Sequence, residues 1–159
     1  MDVYLMQHGV AESESVNPLR PLTDAGRREV IEVATLAGRR GVRVDRIVHS
    51  DKLRAVQTAV ELARCLGCGT VSAEPGLHPG DPVDPIATRW ADPKAAGSVA
   101  IVGHLPFVER LASRLITGDA HAKVISFRNG ALVALRPADT PGGFGVAWIL
   151  TPELAAREA

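Results

Sequence analysis

Three side chains that suit phosphate chemistry lie far apart in the sequence, each shortly after a short apolar segment. His8 and His104 come two residues after such segments, and Arg54 opens the helix predicted after a third. Imidazole and guanidinium groups together form an anion site, and the planar guanidinium suits phosphate well. A neutral histidine can also attack phosphorus while positive groups stabilise the equatorial oxygens. If the three segments are neighbouring parallel strands, these residues meet in one phosphate-binding crevice.

The first of these segments, residues 2–6, is predicted to be a strand, and Gln7-His8-Gly9 follows it directly. Open α/β sheets place their ligands at the carboxyl ends of their strands. Gly9 allows the chain to turn sharply and to bring backbone N–H groups close to a bound group. The end of the first strand is therefore the predicted centre of the site.

Two amphipathic helices are predicted. The first precedes a strand at residues 46–49, and the second lies between that strand and another at residues 70–73. Thr23 can cap the first helix and Ser50 the second. Both helices have apolar residues at i, i+3, i+4 and i+7. The predicted apolar stripes are Val30, Val33, Ala34 and Ala37 in the first helix and Val56, Ala59, Val60 and Ala63 in the second.

The rest of the chain predicts a short helix ending at Trp90, a buried strand at 98–102, a helix that begins at Pro106, and a hairpin of strands 131–135 and 145–150. Alternating strands and helices followed by an antiparallel end indicate an α/β fold. We expect a three-layer α/β/α arrangement with a mostly parallel sheet, in one domain over residues 1–159.

Composition excludes several function classes. The 18 basic and 18 acidic residues give a formal net charge of +0, so no overall field favours nucleic acid or an anionic membrane surface. No apolar run approaches the roughly 20 residues of a membrane helix, and no secretory leader is visible, so we expect a cytoplasmic protein. Cys65 and Cys68 lack the second pair that a tetrahedral zinc site requires. No metal or cofactor is predicted.

Four motifs in this order resemble the histidine phosphatase superfamily, and within it the small SixA-type phosphohistidine phosphatases, over nearly the whole chain. The motifs are Gln7-His8-Gly9, Arg20-Pro21-Leu22-Thr23 with Gly26, residues 50–54 continued by Ala55, Gln57 and Thr58, and Gly103-His104-Leu105-Pro106. The resemblance implies a phosphoglycerate mutase-like fold and a role in signal transduction. It implies that His8 is the nucleophile that becomes phosphorylated. Arg54 and His104 would stabilise the transition state, and Arg20 would contact the phosphate from its loop.

One departure from the family pattern is Gln7, which stands where the family has an arginine. Glutamine can donate an N–H to a phosphate oxygen but has no charge and no bidentate fork. A hydrogen bond to a charged group contributes about 1.5–3 kcal/mol, which corresponds to about 10- to 150-fold in rate. Without that positive charge His8 is more easily protonated, and a protonated imidazole is not a nucleophile. We expect a weakened enzyme, and Lys52 is a basic residue that could compensate.

A second departure concerns the proton donor for the leaving group. Larger family members use a carboxylate in the loop after the third strand. In this chain that region offers Glu74, Asp81 and Asp84, none in a recognisable pattern. A weak or missing acid is tolerable when a P–N bond breaks, because imidazole leaves more easily than an alkoxide. The substrate expected on this ground is phosphohistidine.

The main hypothesis is therefore a metal-independent phosphohistidine phosphatase that acts on a phosphorylated protein and releases inorganic phosphate. The alternative from another class is a weakened or inactive phosphate- or phosphohistidine-binding module, with Gln7 marking lost catalysis. The third hypothesis is a phosphatase acting on small phosphate esters, or a mutase. Such enzymes usually carry longer insertions that cover the substrate.

Overall fold

A computed structural model describes residues 1–159, which form a six-stranded sheet with helices on both faces. The strands are β1 (Asp2–Gln7), β2 (Arg46–His49), β3 (Val71–Ala73), β4 (Ser98–Gly103), β5 (Leu132–Pro137) and β6 (Phe144–Leu150). The helices are α1 (Asp24–Arg39), α2 (Leu53–Leu66), α3 (Asp84–Trp90), α4 (Phe107–Thr117) and α5 (Pro152–Arg157). None of these helices combines the length and the apolar character needed to cross a membrane.

The strand order across the sheet is β3-β2-β4-β1-β5-β6. β1, β4, β2 and β3 are parallel, whereas β5 and β6 pair antiparallel at the other side. The predicted α/β class, with a mostly parallel sheet and an antiparallel C-terminal part, is confirmed. Gln7 pairs with Gly103, and His49 pairs with Val102. The residues that follow β1, β2 and β4 therefore start at the same edge of the sheet.

Alternate residues of β1 point to opposite faces and join two separate apolar clusters. Val3 and Leu5 pack with buried residues of α3 and α4, and Tyr4 and Met6 pack with buried residues of α1, α2 and α5. All four side chains are at least nine-tenths buried. The two clusters lie on opposite faces of the sheet and give the three layers that the sequence predicts.

The buried face of α2 is shifted from the predicted one, although Ala59 and Ala63 of the predicted stripe are buried. The structure buries Ala55, Ala59, Leu62 and Leu66, while Val60 is 53% exposed. Both stripes have the helical period, so periodicity alone could not separate them. The observed face contains two leucines, and burying leucine removes more apolar area from water than burying the smaller valine.

The start of α1 agrees with the prediction, whereas those of α2 and α4 differ; α4 begins at Phe107, with Pro106 at the cap position. Thr23 caps α1 as predicted and accepts a hydrogen bond from the Gly26 N–H at 2.9 Å. Ser50 does not cap α2, because the helix begins only at Leu53 and Lys52 holds the cap position. The final helix, α5, was not predicted. Its signals are a capping Thr151 followed by proline at the first helical position.

Gly26 allows the first turn of α1 to pack against the chain that follows the first strand. A β-carbon at Gly26 would lie 2.2 Å from the carbonyl oxygen of Val10. The same carbonyl accepts a hydrogen bond from the Thr23 N–H at 2.9 Å, which limits its freedom to move. The absence of a side chain at Gly26 is therefore a requirement of the loop that leaves His8.

We expect Gly26→Ala to lower the free energy of unfolding by about 1–3 kcal/mol, because the added methyl group forces backbone shifts. Urea denaturation followed by circular dichroism measures this change. Gly69→Ala is the matched control, since a β-carbon there meets nothing within 4 Å. Equal stability of the two variants would contradict the packing argument.

Candidate active site

The structure brings His8, Arg54 and His104 together. The two histidines follow the neighbouring strands β1 and β4, and Arg54 is the second residue of α2, which follows β2. The imidazole centroids of His8 and His104 are 5.1 Å apart, with their planes tilted by 57°. The Arg54 Nε–H points at His8 Nε2 over 3.3 Å. The convergence predicted from the strand ends is present.

His8 is held as a neutral ring whose unprotonated Nε2 accepts a hydrogen bond from Arg54. Its Nδ1 donates a hydrogen bond to the Gly9 carbonyl at 2.7 Å, so the lone pair lies on Nε2 and faces Arg54. Burial lowers the His8 pKa to about 4, assisted by the positive charges of Arg54 and Arg20, although the bond to Gly9 acts in the opposite direction. A neutral imidazole with an unprotonated Nε2 is a competent nucleophile at neutral pH once a phosphoryl group takes the place of Nε2 as the partner of Arg54.

His104 is also neutral, but its nitrogens have different partners. Its Nε2 lies 2.8 Å from the Ser50 hydroxyl, and its Nδ1 is buried with no hydrogen-bond partner in the protein. Burial lowers the His104 pKa to about 3, helped by the charges of His8, Arg54 and Lys52. One buried nitrogen of this ring is therefore unsatisfied.

Side chains behind the pocket hold the end of β1 in place. The Gly9 N–H donates to Thr58 Oγ1 at 3.1 Å, and the Thr58 hydroxyl donates to the Arg54 carbonyl at 2.7 Å. Asn129 Nδ2 donates to the His8 carbonyl at 3.1 Å. The sequence places Thr58 in one of the motifs and gives neither residue this role. The i, i+4 spacing of Arg54 and Thr58 on one helix was a usable signal, whereas nothing local pointed to Asn129.

Arg20 approaches the site from the loop between β1 and α1. It is half-buried, and its Nε donates to the Glu12 carbonyl at 3.1 Å. Its charge contributes to the lowered pKa of His8 and of Arg54. The guanidinium makes no other hydrogen bond within the protein, so its remaining N–H groups are available to an anion.

Gln7 is buried beside His8 but adds no charge. Its backbone carbonyl accepts a hydrogen bond from the Gly130 N–H at 3.0 Å, and its side-chain Oε1 is buried without a partner. Lys52 is close enough for its charge to lower the His104 pKa. The positive charge around the two histidines thus comes from Arg54, Arg20 and Lys52.

Two of the three carboxylates considered as proton donors are held in ion pairs. Glu74, whose side chain is only 9% exposed, is paired with Arg89 of α3. Asp84 pairs with Arg114 Nε at 2.8 Å. To reach a leaving group, either carboxylate would first have to give up its guanidinium partner.

The third carboxylate, Asp81, lines a cavity of about 370 Å³ next to residues 50–54. Asp51, Glu74 and His78 line the same cavity, and His78 Nε2 lies 2.6 Å from Asp51 Oδ1. Asp81 Oδ2 accepts a hydrogen bond from the His78 N–H at 2.9 Å. No group of three or more His, Cys, Asp or Glu side chains is arranged to hold a metal ion.

Comparison with known proteins agrees with this arrangement. Residues 3–79 match the family described as the histidine phosphatase superfamily (branch 1). The phosphohistidine phosphatase SixA of Escherichia coli (strain K12) is 32% identical over 124 residues, which cover 75% of this chain and 76% of that protein.

Two solved structures are similar over nearly their whole length. The protein histidine phosphatase SixA complexed with tungstate has a TM-score of 0.82 and 28% identity, covering 96% of this chain and 97% of that chain. A SixA protein of Agrobacterium tumefaciens has a TM-score of 0.77 and 25% identity, covering 95% and 97%.

The two buried rings predict how stability depends on pH. In the folded protein their pKa values are about 4 and about 3, against 6.5 for an ordinary histidine. Below pH 6.5 the unfolded chain binds protons that the folded protein does not, so stability falls as the pH is lowered. Between pH 6.5 and 5 we expect a loss of about 1.5 kcal/mol for each ring.

Urea denaturation in phosphate-free buffer at both pH values measures this loss. His8→Asn removes one of the two rings and should remove about half of the pH dependence. A free energy of unfolding that is the same at pH 6.5 and 5 would show that the rings are not held neutral.

Proposed function

The chain belongs to the histidine phosphatase superfamily as a SixA-like phosphatase, and on that premise we propose that its substrate is phosphohistidine in a protein. The observation that carries the proposal is the neutral His8, whose unprotonated Nε2 accepts a hydrogen bond from the Arg54 guanidinium. The E. coli relative is named a phosphohistidine phosphatase, and the similar SixA structure holds tungstate, an oxyanion. Both support a phosphoryl group as the species bound here.

In the first step, His8 Nε2 attacks phosphorus and the bond from phosphorus to the substrate imidazole breaks. The substrate ring leaves as neutral imidazole when its other nitrogen already carries a proton. Arg54, Arg20 and the unpartnered Nδ1 of His104 stabilise the charge on the equatorial oxygens. Because His8 keeps its Nδ1 proton on the Gly9 carbonyl, the phosphorylated ring is a cation.

In the second step, water attacks the phosphorus of phospho-His8 and the P–Nε2 bond breaks. The cationic ring leaves as a neutral imidazole, which is an easier departure than that of an imidazolate anion. His8 returns to its starting state with the proton still on Nδ1, and inorganic phosphate is released. The hydrogen bond between His8 and Gly9 therefore serves both steps.

The pairing of the nearby carboxylates favours a P–N bond over a phosphate ester as the bond that is broken. An alkoxide leaving group needs an acid, but Glu74 is paired with Arg89 and Asp84 with Arg114, so Asp81 is the one carboxylate of the three without a cationic partner. A protonated phosphohistidine ring needs no acid from the protein. The small phosphate esters considered in the sequence analysis are accordingly the less favoured substrates.

Gln7 supports a second candidate function, a binding module that holds phosphohistidine without hydrolysing it. The residue adds no positive charge, and its buried Oε1 cannot accept a hydrogen bond from a fully ionised phosphate. Against this, Arg54, Arg20 and Lys52 still surround the histidines. We favour a slow enzyme, in which Lys52 partly replaces the missing charge.

The first test compares wild type, His8→Ala and Gln7→Arg on a phosphohistidine peptide and on an aryl phosphate, with phosphate release measured in metal-free buffer. Wild type should act on the peptide, and His8→Ala should be inactive. Gln7→Arg should be faster by about 10- to 150-fold, because one charged hydrogen bond is added in the transition state. The double variant Gln7→Arg/His8→Ala is the control for contaminating phosphatase.

Activity that appears only in Gln7→Arg would favour the binding module. Hydrolysis by His8→Ala at the wild-type rate would refute the phospho-His8 intermediate.

The second test concerns Lys52. We expect Lys52→Gln to lower kcat/KM for the peptide by about 3- to 10-fold, because it removes a positive charge near the phosphoryl group. The loss is modest because solvent screens a partly exposed charge. The loss should shrink in the Gln7→Arg background if the two positions supply the same charge. Lys94→Gln, an exposed lysine in the loop before β4, is the matched control. Equal losses in both backgrounds would show that Lys52 does not compensate for Gln7.

A further inference from the structure

Ser50 lies directly after β2, and its hydroxyl is the one protein group that contacts the His104 ring nitrogens. The residue is 0% exposed. Its Oγ lies 2.8 Å from His104 Nε2 and accepts a hydrogen bond from the Lys52 N–H at 3.3 Å. The sequence suggested only a helix cap for this serine, a role that Lys52 occupies instead.

The direction of the bond between Ser50 and His104 follows from the available partners. A buried hydroxyl needs an acceptor for its single proton. The Lys52 N–H is a donor and cannot accept it. His104 Nε2 is the remaining partner of Ser50 Oγ, so the serine donates and Nε2 carries no proton. The proton of the neutral His104 ring is then on Nδ1.

We propose that Ser50 is a positioning residue that holds neutral His104 in its Nδ1–H tautomer, so that the ring donates a hydrogen bond to a phosphoryl oxygen. Nδ1 is buried and has no acceptor in the protein. A buried N–H without an acceptor is unfavourable, and an oxyanion in the pocket would satisfy it. This inference rests on the proposed function, since it gives His104 its part in that reaction.

The two histidines then have different roles, although both carry their proton on Nδ1. His8 donates its Nδ1–H to the Gly9 carbonyl and presents the lone pair of Nε2 to phosphorus. His104 accepts a hydrogen bond on Nε2 from the Ser50 hydroxyl and presents its Nδ1–H to oxygen. The serine therefore decides whether the second ring attracts or repels the phosphoryl oxygens, because the other tautomer would direct a lone pair at them.

The first experiment needs no variant. In phosphate-free, ¹⁵N-labelled wild type at pH 7, long-range ¹H–¹⁵N correlation spectra distinguish protonated from unprotonated ring nitrogens. We expect His104 to show a protonated Nδ1 and an unprotonated Nε2. The opposite pattern, or equal populations of both tautomers, would overturn the proposal whether or not the protein is an active phosphatase.

The second experiment compares Ser50→Ala, Ser50→Thr and the control Ser113→Ala, which removes another buried serine hydroxyl outside the site. We expect Ser50→Ala to reduce the Nδ1–H population of His104 and to lower kcat on the phosphohistidine peptide by about 10- to 100-fold, with a smaller change in KM. Ser50→Thr keeps a hydroxyl and should restore the tautomer, and Ser113→Ala should match wild type.

The readouts separate failure of this inference from failure of the proposed function. If wild type does not hydrolyse the peptide, the His104 tautomer and the affinity for inorganic phosphate in NMR titrations still test Ser50. Ser50→Ala should then weaken phosphate binding, and Ser113→Ala should not. A Ser50→Ala protein that is folded by circular dichroism and retains the wild-type tautomer and phosphate affinity would refute the positioning role.

Discussion

The hydrogen bond from His8 Nδ1 to the carbonyl of its own neighbour, Gly9, is the constraint on which the site depends. It places the lone pair of the ring on Nε2 and orients that atom toward Arg54. Much of the nearby structure holds these two residues still. Thr58 accepts a hydrogen bond from the Gly9 N–H, and Asn129 donates one to the His8 carbonyl. Contacts from α2 and from the turn before β5 therefore both fix the end of β1.

A second constraint is electrostatic. The whole chain has a formal net charge of +0, yet fixed positive charges act on two buried imidazoles. Those of Arg54 and Arg20 act on His8, and those of Arg54 and Lys52 act on His104. Because desolvation and these charges act in the same direction, both rings are kept neutral. The site can therefore contain a nucleophile and an anion-binding group side by side, without the nucleophile being protonated. Gln7 gives this site less positive charge than the family's arginine would, but His8 remains neutral.

The parts of the fold and site that could be predicted from sequence depend on local patterns. The apolar strands, the Thr23 cap and the meeting of His8 with His104 follow from hydrophobic runs and from the geometry of parallel strands. The buried face of α2 could not be predicted, because two stripes share one period. The role of Ser50 and the pairing of Glu74 with Arg89 depend on contacts between distant residues, which spacing along the chain does not report.

The position of β4 between β1 and β2 also determines when the site can exist during synthesis. His8 and Arg54 belong to the first part of the chain, but the strand that separates β1 from β2 ends only at Gly103. A nascent chain whose β4 has not yet left the ribosome has a gap in the middle of its sheet. Contacts of such long sequence separation form late and slowly. Phosphate chemistry by this fold therefore has to wait for β4 and for the His104 that follows it.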